Sequence, residues 1–151
     1  DSTHLSQTLG DADWTDQIQQ HFAMIREVVQ SHHGTVVKTL GDGAMNAFSS
    51  AQQATSAAIE IQRRVAATSL RVRIGIHTGD AISVDGDYLG TAVNKAARVA
   101  SAAGEHEILL SSTTSEMIDR RDFEFGPERR AELKGLTGTH LLIPLVVPPA
   151  P

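Results

Sequence analysis

The chain contains no cysteine. This excludes a disulfide framework and any thiolate metal site, and it agrees with a cytoplasmic setting. A long apolar run is also missing: no stretch approaches the roughly 20 apolar residues that a membrane-spanning helix needs. No direct membrane contact is therefore expected of this domain, whatever tethers its parent polypeptide. Nor is there an excess of positive charge. Lys and Arg number 13 against 18 Asp and Glu, a formal net charge of -5 at pH 7. Such a chain lacks the broad positive field of a non-specific nucleic-acid binder, so no nucleic-acid partner is expected and any phosphate ligand must be held by local groups. The seven histidines are scattered; His32 and His33 are adjacent and would point different ways on a helix, and no pair has zinc-site spacing.

What remains is an ordinary single-domain composition. With 151 residues, 40% hydrophobic and 21% charged, the chain can bury about two-thirds of its unfolded surface around one core. Trp14, Ile18, Phe22, Ile25 and Val29 recur at helical spacing over 13–33, with Gly34 as the stop signal. Residues 35–40 and 44–48 read as two strands around Gly41-Asp42-Gly43, placing Asp42 at a hairpin tip. Ala51, Ala54, Ala58, Ile61 and Val65 mark a second helix whose small residues allow close packing. Leu70, Val72, Ile74 and Ile76 alternate with Arg71, Arg73 and Gly75, the period-two pattern of a strand over 70–76. A strand at 81–84 and a loop at 85–90 follow. Val93, Ala96, Ala97, Ala100 and Ala103 then trace a third helix ending at Gly104. A strand over 107–110, a short helix over 112–118 and strand-like stretches near Phe123 and over 141–147 complete the pattern.

In order, the first two-thirds gives helix, strand, strand, helix, strand. This predicts an α+β fold, a ferredoxin-like βαββαβ plait with C-terminal additions, lacking its opening strand. That strand is central in such a plait, so residues preceding Asp1 are expected in the native polypeptide. The domain is expected over 1–147, with a Pro-rich tail at 148–151.

Four motifs stand in sequence: Lys38-Thr-Leu-Gly-Asp42-Gly, Arg73-Ile-Gly-Ile-His-Thr-Gly79, Asp87-Tyr-Leu-Gly-Thr-Ala-Val-Asn94-Lys-Ala-Ala-Arg98, and Leu133-Lys-Gly135. Together they resemble the catalytic domain of class III adenylyl and guanylyl cyclases, and the short interval from Lys38 to Asp87 resembles the bacterial branch with a reduced dimer arm. The resemblance implies cyclisation of ATP, in which the ribose 3′-hydroxyl attacks the α-phosphorus and pyrophosphate leaves. Two divalent ions, Mg²⁺ or Mn²⁺, suit that chemistry, and such hard ions take carboxylate oxygens. Asp42 matches one metal ligand of the family. The opening Asp1-Ser-Thr3 looks like the tail of the family's first motif, whose metal-binding aspartate would fall upstream of residue 1.

Lys38 and Asp87 match the family's base-reading pair. Adenine offers an acceptor at N1 and a donor at its exocyclic amine; guanine offers the reverse, so a Lys/Asp pair suits ATP. Asn94 and Arg98, four apart on one helix face, match the groups that orient the ribose and stabilise charge on the phosphate in the transition state. Arg73 and Lys134 resemble the β- and γ-phosphate ligands. No side chain is an obvious general base. Taken singly, each has a blander reading: Asp42 as a turn aspartate, Lys38 as an edge lysine, Asp87 and Asp85 as solvated loop acids, Asn94 and Arg98 as a wet helix face. Arg63-Arg64 and Arg129-Arg130 read as surface charge, and Gly75 and Gly79 as servants of strand and turn geometry.

The family draws metal carboxylates and base-reading groups from opposite subunits, so the resemblance implies a homodimer with two shared sites. Three competitors remain: a cyclase-like module that binds nucleotide without turnover, an unrelated ferredoxin-like binding domain, and a guanylyl cyclase.

Overall fold

The computed structural model describes residues 10–149. Asp1–Thr3, with the expected remnant of a first motif, and the tail residues Ala150-Pro151 lie outside that range. Helix α1 (Asp11–Ser31) leads into the hairpin β1 (Thr35–Leu40) and β2 (Gly43–Ala47). Then come α2 (Ala51–Val65), β3 (Ile74–Ile76), the hairpin β4 (Ile82–Val84) and β5 (Asp87–Leu89), and α3 (Thr91–Ala102). The remainder is β6 (Ile108–Ser111), α4 (Ser112–Glu116), a 3₁₀ turn at Arg120–Asp122, β7 (Arg129–Glu132) and β8 (Thr139–Leu145). Among the described residues the strands form three sheets: the β1–β2 hairpin, the β4–β5 hairpin, and a four-stranded sheet in the order β3-β6-β8-β7. The fold is α+β, as expected.

Strand β6 is the centre. All four of its residues are buried, which is why Ile108-Leu-Leu-Ser111 reads as a short continuous apolar run rather than an alternation. Its neighbours divide by pleat. Ile108 and Leu110 join Ala58 of α2 with Ile118, Ile143 and Leu145 on one face. Leu109 joins Val99 of α3, and Ala103 just after that helix, with Leu133 and Leu142 on the other. Helix α2 is shared between two cores, since Ala57, Ile61 and Val65 pack with Ile25, Val28 and Val29 of α1 and with Leu70. The polar member of its buried stripe is Gln62, whose Nε2 donates to Val72 O at 2.9 Å and Glu107 O at 3.4 Å. It clamps the segment entering β3 to the segment entering β6.

Several elements differ from the sequence pattern for definable reasons. Helix α1 stops because His33 adopts a left-handed φ of 64°; Gly34 is required elsewhere, because a Cβ there would lie 2.4 Å from the Phe48 ring. The strand expected over 70–76 pairs only at Ile74–Ile76, its earlier part being held by His106 N donating to Val72 O at 3.0 Å. The loop expected over 85–90 contains β5. Asp85 and Gly86 take φ of 50° and 80°, a two-residue hairpin turn for which Asp-Gly is the strongest sequence signal. No strand forms at Phe123, where only a bridge from Phe125 to Leu145 is made. Strand β7 escaped notice because Arg-Arg-Ala-Glu is polar, as an exposed sheet edge tends to be. Its Arg129 is more than surface charge: Nη1 donates to Glu107 Oε2 at 3.0 Å. Arg64 likewise pairs with Glu60 within α2 at 3.0 Å and ties α2 to Glu27 of α1 at 3.4 Å.

Two glycines decide how close α3 comes to the sheet. A Cβ on Gly75 would lie 2.2 Å from Ala100 N, and one on Gly79 would lie 2.9 Å from Ala92 Cβ. The first obstacle is helix backbone and cannot yield without moving the helix. A Gly75→Ala variant is expected to lose about 2 kcal/mol or more of stability in urea denaturation. Gly43→Ala, where the nearest atom is Leu40 O at 3.4 Å, is expected to stay within about 0.5 kcal/mol of the parent.

Candidate active site

The seven residues singled out by sequence fall on six parts of the fold. Lys38 sits in β1, directly after an irregularity: Val36 pairs with Asn46 and Lys38 with Met45, so Val37 is an extra residue. In a regular strand Lys38 would share the face of Val36, which packs on the α1–α2 core. The bulge shifts the alternation by one residue and turns Lys38 off that face. There it meets Asp87, the first residue of β5, with Lys38 Nζ 2.8 Å from Asp87 Oδ2. The other carboxylate oxygen, Oδ1, accepts from Tyr88 N at 2.7 Å. The Lys38 hydrogen bond, followed by that from the Tyr88 amide, holds the Asp87 carboxyl below its ordinary value. Both side chains keep about a third of their surface in solvent, 38% and 36%. The pair is fixed in geometry yet accessible to a ligand.

Helix α3 begins two residues after β5. Asn94 and Arg98 both lie on its exposed side, together with Ala97, which the apolar pattern had assigned to the packed side. The buried side is narrower than expected, Val99 being the one fully buried residue within the helix. The amide of Asn94 donates to Gly90 O at 3.2 Å, so this side chain is placed by the first hydrogen-bonded turn. Lys134 is exposed in the turn after β7. That turn rests on α3 through Leu133 and Leu136, which pack with Val99 and Ala103. With Glu132, Leu133, Leu136 and Gly138, Lys134 lines an open cavity of about 470 Å³.

Arg73 does not join this group. It is exposed just before β3. Strand β3 runs parallel to β6, and β8 runs antiparallel to both β6 and β7. Strands β3 and β7 therefore point the same way, with Arg73 at the start of one and Lys134 beyond the end of the other. The registers place Glu132 seven residues further along the sheet axis than Arg73, roughly 20 Å at about 3.3 Å per residue, with two strands between.

Asp42 is exposed in the β1–β2 turn. Its charge reaches His21 of α1: burial lowers the imidazole pKa, and Asp42 opposes that shift. Among the described residues no group of three or more His, Asp or Glu side chains could hold a metal ion. Asp42 alone does not complete a two-metal centre. Sequence reasoning also missed a buried polar cluster at the end of β3, where His77 Nδ1 lies 2.7 Å from Ser111 Oγ. A histidine inside the second motif was the available signal.

With this geometry in place, residues 1–144 match the family described as the adenylate and guanylate cyclase catalytic domain. The chain belongs to that family. It is 33% identical over 118 residues to an uncharacterized protein of Mycobacterium tuberculosis, covering 77% of this chain and 31% of that protein. To the adenylate cyclase of Streptomyces coelicolor it is 28% identical over 123 residues, covering 80% of this chain and 32% of that one. The chain thus spans about a third of the length of these relatives. Among solved structures, the adenylate/guanylate cyclase/hydrolase of Silicibacter pomeroyi matches with a TM-score of 0.80 at 29% identity, over 95% of this chain and 90% of that chain. An adenylate cyclase of Trypanosoma brucei matches with a TM-score of 0.86 over 97% and 83% of the two chains; at 23% identity it shows the fold alone.

Asp87 gives a pH test of the pair. Its depressed pKa means that the ion pair contributes stability above the unfolded carboxylate's value, near 3.9, and loses it as pH falls through the lower folded value. Thermal melts of the parent and Asp87→Asn should differ at pH 6 and converge as pH drops below about 3.

Proposed function

We propose that this domain is an adenylate cyclase catalytic domain, converting ATP to 3′,5′-cyclic AMP and pyrophosphate. The observation that carries the reading is the Lys38–Asp87 pair, preformed at 2.8 Å beside the helix that bears Asn94 and Arg98. The lysine would donate to adenine N1 and the aspartate accept from the exocyclic amine; guanine in the same place would leave both unpaired. Asn94 would orient the ribose so that its 3′-oxygen faces the α-phosphorus. Arg98, on the same exposed face, would donate to the phosphate oxygens as charge builds on them. Removing it should lower kcat by about 10²-fold or more.

The remaining groups favour a homodimer with shared sites. Arg73 and Lys134, the proposed β- and γ-phosphate ligands, stand at opposite ends of one sheet, so a single chain does not bring both to one triphosphate. A second copy supplies the missing partner. The surface around the base-reading pair suits such an association: Leu40, Ile82, Val84 and Leu89 are 65%, 67%, 43% and 50% exposed, an apolar patch of the kind that marks an interaction site. Two divalent ions, Mg²⁺ or Mn²⁺, would supply polarisation of the 3′-hydroxyl and clamping of the leaving pyrophosphate, with Asp42 as one ligand. We take the catalytic domain to run over 1–147. Pro148 of the tail is held at α2, its carbonyl accepting from Arg63 Nε at 3.1 Å. No helix among the described residues is long and apolar enough to cross a membrane; ATP as substrate favours a cytoplasmic setting for the domain.

Turnover tests the reading directly. The polypeptide containing this domain, assayed with Mn²⁺ or Mg²⁺, should form cyclic AMP and prefer ATP over GTP by at least about 10²-fold, and EDTA should abolish the activity. Cyclic nucleotide from neither substrate would overturn the cyclase reading and favour a binding module; preference for GTP would overturn the base-reading roles. Mixing inactive Lys38→Ala and Asp42→Ala chains should restore about a quarter of the parent activity, because half the dimers are mixed and each holds one intact site. A mixture that stays inactive would sink the shared-site arrangement.

A further inference from the structure

We propose that His77 is a positioning residue for the reaction assigned above, holding the end of β3, and through it the first turn of α3, by a ring of hydrogen bonds with Ser111, Thr114 and Thr78. The inference rests on the cyclase reading for its kinetic consequence, but the ring itself is a property of the fold. His77 follows β3 and is half-buried; Ser111 and Thr114 are fully buried at the β6–α4 corner. His77 Nδ1 lies 2.7 Å from Ser111 Oγ. That oxygen also accepts from Thr114 N at 3.3 Å, capping α4. Thr114 Oγ1 donates to Ile76 O at 3.3 Å and lies 2.9 Å from Thr78 Oγ1. Three consecutive residues at the end of β3 are thereby tied to one corner.

Proton bookkeeping gives the ring a direction. In the arrangement that gives both Ile76 O and the imidazole nitrogen a proton, Thr114 donates to Ile76 O and Thr78 donates to Thr114 Oγ1. The Ser111 proton then has two possible acceptors, His77 Nδ1 at 2.7 Å and Thr114 Oγ1 at 3.2 Å. The shorter contact assigns it to Nδ1, which makes His77 the neutral Nε2–H tautomer. Burial first, then the charges of Lys95 on α3 and His140 on β8, lower the His77 pKa and keep it neutral. Protonation would force the Ser111 hydroxyl to turn toward Thr114 and would add positive charge near the N-terminal end of α3, where the helix dipole is already positive.

The link to the site is steric. The residue after Thr78 is Gly79, where a Cβ would lie 2.9 Å from Ala92 Cβ and 3.6 Å from His77 Nε2. The chain leaving the ring thus rests on the first turn of α3, on the Nε2 side of the imidazole. Asn94 lies two residues beyond Ala92, beside Lys95. Loosening the ring lets this turn move while α2, on the opposite face of the sheet, stays packed. A displacement of about 1 Å at a catalytic group is enough to cost a large factor in rate.

The test compares His77→Ala with His77→Asn, which can keep a side-chain hydrogen bond to Ser111 without titrating. His77→Ala should lower kcat by about 10-fold or more with KM for ATP changed by less than about threefold, and amide exchange should quicken over 91–95 but not in α2. His77→Asn should recover most of both. The parent should lose activity on the acid side at a pH below the ordinary imidazole value of about 6.5, because the His77 pKa is lowered; His77→Asn should lack that limb and His140→Gln should retain it. Parent-like kcat and exchange in His77→Ala would overturn the proposal. So would failure of the Asn variant to rescue, exchange that quickens uniformly across the domain, or an acid limb that survives in His77→Asn. If the parent forms no cyclic nucleotide, the cyclase reading fails, and the exchange comparison alone still decides whether His77 anchors α3.

Discussion

Everything in the candidate site depends on how closely α3 lies on the sheet. A helix normally stands off a sheet by the length of its side chains; here backbone meets backbone, because position 75 carries no Cβ to keep Ala100 away. Position 79 repeats the arrangement one turn from the other end, against Ala92. Two contacts at two levels hold the helix in both distance and tilt. The alanines of α3 belong to the same solution, since larger residues would reopen the gap. What this leaves outward is a short exposed stripe bearing Asn94 and Arg98, on a helix whose stance the core dictates.

The ion pair between Lys38 and Asp87 plays a different part. It joins β1 of one hairpin to β5 of another, which share no backbone ladder. With a third of each side chain in water, it adds little to stability, as exposed pairs do. Its value is orientation: a lysine and an aspartate that satisfy each other before any ligand arrives have little side-chain freedom left to lose on binding. On the proposed function, that preorganisation is spent on telling one purine from another.

Much of this was legible in the sequence. Helical periodicity located α1, α2 and α3 within a few residues, and the Gly-Asp-Gly turn located the first hairpin. Of the two neighbouring aspartates, Asp85 is a turn residue and Asp87 meets Lys38. What escaped follows from interactions that leave no local trace. Strand β7 is a strand only because β8 lies beside it. The shortening of β3 reflects a segment before Ile74 that is held by one backbone bond, from His106 N to Val72 O, and by a glutamine from another helix, rather than by a continued ladder. His77 carried no periodic signal at all; its importance lies in a serine 34 residues away. The separation of Arg73 from Lys134 likewise required strand direction, which single-chain patterning does not encode.

The bulge at Val37 has a consequence for how this segment can vary. Chemistry asks for a lysine at one place, but the fold asks for a phase: the extra residue between Val36 and Lys38 sets the side on which the strand presents everything up to the Gly41-Asp42 turn. Pairing the same residues without the bulge would leave every amino acid in place and point the lysine inward, toward Val36 and the packed helices. Deleting Val37 would instead straighten the strand and leave the lysine on its present face. The irregularity in β1 is therefore as much a specification as the identity of the lysine, and variants that keep the motif but lose that phase should be counted with those that have lost it.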